Sequence, residues 1–194
     1  MKTTTNTATA AADPTWLRTL YATRAAFSIL WVLLAFTVGL ASWPIAAVLL
    51  VIYPAWDALA NAVDARRSGG LMHKANATQL VNVVVSALTT AAMVIAVGRG
   101  MPAVFIVWGT WAVLSGLLQL GTALRRWKHA GAQWAMVLSG AQSALAGAFF
   151  VTQASGPHPM LQDLAGYAAV GAVYFLISAG VLFWRARRSV RVTG

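Results

Sequence analysis

The number and length of its apolar runs constrain this chain more than any other feature. Six stretches, at about residues 21–40, 44–67, 78–97, 102–126, 133–151 and 161–188, each offer the roughly 20 residues that a helix needs to cross a bilayer. In hydrocarbon the backbone N–H and C=O groups must be bonded within the protein, and continuous apolar runs of this length do that as helices. Of 194 residues, 59% are hydrophobic and only 9% charged. A soluble domain of this size leaves much of its surface wet and could not hide so much apolar material. The predicted fold class is all-α: a polytopic membrane protein with six transmembrane helices.

The breaks between runs are short and carry their own signals. Asp13-Pro14 reads as an N-cap with proline at the first helical position, and Pro44 and Pro102 start the second and fourth helices. Pro54 lies inside the second run and is expected to kink it. Every Lys and Arg except Arg99 falls on one side of the membrane in this scheme. With an even number of spans, that bias puts both termini in the cytoplasm of a bacterial inner membrane. Trp43 would mark the outer interface, and Trp16, Trp127, Trp134 and Trp184 the inner one.

The same placement explains a net charge of +10, which in a soluble chain would point to nucleic acid. No nucleic-acid partner is expected. The lipid bilayer is the expected partner, with anionic lipids at Arg66, Arg67, Arg125, Arg126, Arg187 and Arg188. The absence of cysteine excludes disulfides and thiol chemistry. His73, His129 and His158 lie far apart, so no metal and no cofactor are expected. No phosphate loop, nucleophile elbow or paired catalytic carboxylates are present, so the chain does not read as an enzyme.

An internal repeat organises the runs. Aligning Tyr53 with Trp111 and Tyr174 sets Asp57 against Ser115 and Ser178, and Arg67 against Arg125 and Arg188. The same offset sets Arg24 and Ser28 against Asn82 and Ser86. The chain is expected to be three helical-hairpin repeats at residues 13–75, 76–130 and 131–189. A disordered tail over residues 1–12 precedes them, and a short tail over residues 190–194 follows.

Six spans in short hairpin repeats, proline-started even helices and Arg-Arg helix ends resemble the HdeD-like acid-resistance membrane proteins, within a wider short-repeat membrane family of unknown function. The resemblance covers about residues 17–188. It implies a non-enzymatic inner-membrane protein, linked in some relatives to acid stress and envelope homeostasis. It carries no catalytic residues over.

Polar residues inside the runs are the candidates for function. Asp57, Asn61 and Asp64 share one face of the second helix, and Ser115, Gln119 and Thr122 share the matching face of the fourth. Asp57 lies about 20 Å along its helix from Pro44, well inside the membrane. A charge there costs about 2.5–3.5 kcal/mol and calls for a partner or a wet cavity. Arg24, on the antiparallel first helix, is the expected partner. Two readings follow: an ion pair fixing helix register, or a protonatable site on a polar path. The candidate intramembrane polar site is Asp57, Arg24, Asn61, Ser115 and Gln119. The alternative function is a small channel or transporter around Asp57, and a homo-oligomer goes with that reading because six helices are few for a carrier. Ser139, Ser143 and Gly147 read as a small-residue seam for close helix packing.

Overall fold

The computed structural model describes residues 14–73, 76–126 and 133–192, and among these residues it is all-helical. The helices are α1 (Pro14–Leu34), α2 (Trp43–Arg67), α3 (Ala77–Val97), α4 (Met101–Arg126), α5 (Gln133–Gln153) and α6 (Leu161–Val192). All six are long and apolar enough to cross a membrane. The expected tail at residues 1–12, the last two residues of the expected tail at 190–194, the expected N-cap Asp13, the basic loop of Trp127, Lys128 and His129, and the side chains of Arg125 and Arg126 lie outside the described residues; residues 190–192 of that expected tail are helical.

Two features of the helices were not read from the pattern. α1 continues through a π-helical segment, Ala35–Gly39, before its turn. Such π turns are mostly single insertions within α-helices; here Ala35 and Gly39 are buried, and a methyl on Gly39 would sit 3.1 Å from Leu161 and 3.3 Å from Leu49. α6 runs on to Val192, past the expected end at 188. Pro54 is accommodated within α2.

The helices stand as a closed ring in chain order, with α6 packing back on α1. The most extensive packing is between successive hairpins, α2 on α3, α4 on α5 and α6 on α1. Within a hairpin, α1 and α2 touch mainly through side chains, as do α5 and α6. The outer surface is apolar: Leu145 is 74% and Leu88 66% exposed. That surface suits lipid, whose tails solvate leucine as well as a protein core does.

The closest approach is between α4 and α5. Gly109 faces Gly147 and Gly116 faces Gly140, and a methyl on Gly109 or Gly116 would lie 2.6 Å from the facing glycine's carbonyl oxygen. Each pair of glycines is seven residues apart along its helix, a period that keeps one face toward a left-handed neighbour. Of the expected seam of Ser139, Ser143 and Gly147, Gly147 and Ser143 lie at this contact, and one residue is corrected: Gly140 takes the place expected for Ser139, which lines the cavity.

The interior divides into two halves. Away from the basic helix ends, Trp31, Leu50, Met93, Phe105, Trp108 and Leu164 form a fully buried apolar core. Toward the basic ends the interior is polar and holds a cavity.

Candidate functional site

The cavity has a volume of about 200 Å³, is partly open, and takes side chains from all six helices. Its wall runs from Asp64, Thr78 and Thr122 near the basic ends to Tyr53, Trp111 and Tyr167, where the apolar core begins. The void is lined by both polar and apolar side chains and is large enough for several waters, which its polar groups can hold.

Asp57 is the hub of its wall. Its Oδ1 is ion-paired with Arg24 of α1. Its Oδ2 accepts from Asn61 Nδ2 at 3.1 Å and from Ser86 Oγ of α3 at 2.7 Å. Ser86 in turn accepts from the Trp111 indole N–H of α4 at 3.0 Å. One carboxylate therefore ties four consecutive helices. Both members of the ion pair are mostly buried, at 14% and 13% side-chain exposure. At that depth, charge-assisted bonds are the condition for keeping an ionised group. Arg24 also lies over the Phe175 ring of α6 at 5.1 Å, bringing the last helix into the cluster.

The other sequence candidates line the same cavity without touching Asp57. Ser115 Oγ donates to Asn82 at 3.4 Å, and Gln119 Nε2 donates to the Met136 carbonyl at 3.1 Å. Asp64, nearer the rim, accepts from the Trp16 indole at 3.0 Å, and Arg67 covers that indole ring at 4.2 Å. Arg188 covers Trp184 at 3.9 Å.

Residues that the repeat alignment makes equivalent have matching bonds in the first two hairpins. Arg24 pairs with Asp57, and Asn82 bonds Ser115. Ser28 shares a 3.1 Å hydrogen bond with the Tyr53 hydroxyl, and Ser86 accepts from Trp111. In the third hairpin the bridges are different: Ser143 to Tyr167 at 2.8 Å and Ser178 to the Met136 sulfur at 3.9 Å.

Sequence reasoning missed Ser86 as a donor to Asp57, and Trp111 behind it. The alignment held a signal, since it set Ser86 and Trp111 against Ser28 and Tyr53, two residues of adjacent helices. It could not supply the α2–α3 register that turns Ser86 toward Asp57. Ser86→Ala removes an acceptor from Trp111 and a donor from Asp57 together. It should cost about 0.6–1.7 kcal/mol, the range of single interhelical hydrogen bonds in membranes, read as a lowered unfolding temperature in detergent.

Among the described residues, no three His, Cys, Asp or Glu side chains come together as a metal site. The wall offers hydroxyls, side-chain amides and one internally neutralised ion pair. No family model, no curated protein and no solved structure matches the chain.

Proposed function

We propose that this protein is a small multi-pass membrane channel or carrier, and that its polar cavity is the solute-binding half of a path sealed by the aromatic core. One observation carries this reading: all six helices turn polar side chains into one cavity, inside a bundle whose outer face is apolar. Polar groups within a membrane-spanning bundle are expensive and gather where solute or protons pass. The seal is the cluster of Trp31, Tyr53, Trp108 and Trp111, whose rings pack 4.9–5.9 Å apart between centroids. In this conformation the path is closed at that layer.

The reading carries an orientation. The basic ends face the cytoplasm of a bacterial inner membrane with both termini there, as the distribution of Lys and Arg favours. Anionic headgroups would gather at that rim, where Arg66, Arg67, Arg187 and Arg188 are exposed. The three-hairpin repeat belongs to the same proposal and is supported by the equivalent bonds of the first two hairpins.

A second reading is the non-enzymatic acid-stress role implied by the resemblance to HdeD-like proteins, favoured by the six-helix architecture. Proteoliposome flux separates the two. Wild-type protein should pass small polar solutes faster than empty vesicles, and Asp57→Asn should reduce that rate. Absence of flux from wild type, together with an acid-sensitive deletion strain, would favour the stress role instead.

A further inference from the structure

We infer that the cavity is built for a small uncharged solute rich in hydrogen-bonding groups, such as a short polyol, urea or a simple amide, and that it discriminates against ions. This assignment rests on the reading of the cavity as a solute site. It follows from how the charges in the wall are already used.

Asp57 has three of its roughly four acceptor positions taken, which leaves little for a cation. Arg24 holds one oxygen, and Asn61 and Ser86 hold the other. Arg24 is neutralised by the same contact, with its guanidinium laid over Phe175. The two charges cancel within the wall. A single ion entering would be a third charge in a low-dielectric interior with no counter-charge of its own. A zwitterion would have to pull Arg24 and Asp57 away from partners they already hold. Asp64, at the rim, is held by Trp16, on whose ring Arg67 sits.

Apart from Asp64 at the rim, the other polar groups that line the cavity are neutral. Gln79, Asn82 and Gln119 supply amides, and Ser115, Thr122 and Ser139 supply hydroxyls. These groups donate and accept in turn, which suits a solute that does both. Their number and their spread over three helices match several small polar groups rather than one strong charge. The volume of about 200 Å³ limits the solute to a few heavy atoms beyond its hydration. Past the cavity floor, the Trp108 indole N–H is buried with no partner among the described residues. The sealing layer thus also offers a neutral donor rather than a charge.

The chain has no cysteine, so a single introduced thiol reports on one position only. Ser115→Cys in lipid nanodiscs would be treated with three methanethiosulfonates of similar size: neutral hydroxyethyl, cationic trimethylammonioethyl and anionic sulfonatoethyl. Each rate is divided by that reagent's rate with a free thiol in solution. The neutral reagent should be favoured over both charged ones by at least about tenfold, a modest part of the cost of an unpaired charge in the membrane. Leu88→Cys, facing lipid, should stay unmodified, and Met72→Cys, 86% exposed in the α2–α3 loop, should react with all three alike. If either charged reagent keeps pace with the neutral one at position 115, the discrimination is refuted while the solute cavity stands. If none reacts there while Met72→Cys does, the cavity is not wet and the underlying reading falls as well. Ser139→Cys, on a different helix, serves where Ser115→Cys lowers the unfolding temperature.

Discussion

Asp57→Ala is expected to be the most damaging single substitution in the bundle, lowering its stability by about 3–5 kcal/mol. The change leaves the Arg24 guanidinium mostly buried without a counter-charge, and leaves Asn61 and Ser86 without the acceptor that orients them. Arg24→Met should cost less, because Asp57 keeps two neutral donors. The double variant Arg24→Met with Asp57→Leu should recover most of the loss, since an apolar pair of similar volume removes both desolvation penalties at once. Thermal unfolding in detergent across this cycle measures the coupling directly. Purely additive losses would mean that the pair does not hold the helices together. A double variant as stable as wild type but inactive in flux would show the pair serving the solute path instead.

The second large effect is expected at the α4–α5 seam. Alanine in place of Gly109, Gly116 or Gly147 should destabilise by about 1–3 kcal/mol, because each new methyl meets backbone of the facing helix and forces the pair apart. This reverses the usual sign, since alanine is favoured over glycine in a helix by about 1 kcal/mol. Gly166→Ala and Gly180→Ala provide the contrast. Nothing lies within 4 Å of a methyl built at either position, so both should raise the unfolding temperature or leave it unchanged. A seam that tolerated alanine as well as Gly166 does would refute close packing as the reason α4 and α5 pair so tightly.

The Arg24–Asp57 contact was legible because it depends only on local arithmetic. A tight turn joins α1 and α2, and the two residues lie at similar distances from it, so an antiparallel pair brings them level. The cavity-facing stripe of Ser115 and Gln119 was legible for a like reason, four-residue spacing on one helix. Ser86 was not, because its bond to Asp57 crosses from one hairpin to the next. Ser139 was misassigned because a small-residue stripe can be drawn on either of two adjacent helix faces, and only the facing Gly116 selects Gly140.

The residues alone establish that this chain makes helices, how many, and roughly where each begins and ends. Hydrocarbon admits only helices and closed barrels, and about 20 continuous apolar residues at a time fit the helix rather than a short alternating barrel strand. They also single out Asp57, since an acid so deep in a span needs a partner. Which helices lie against which is a different kind of fact. It depends on side chains far apart in the chain meeting at one depth: glycine on glycine between α4 and α5, Ser86 on Asp57 between α2 and α3, Phe175 over Arg24 between α6 and α1. Closing that ring turns the polar faces of α2, α3 and α4 inward and, with side chains from the other three helices, makes them the wall of one cavity.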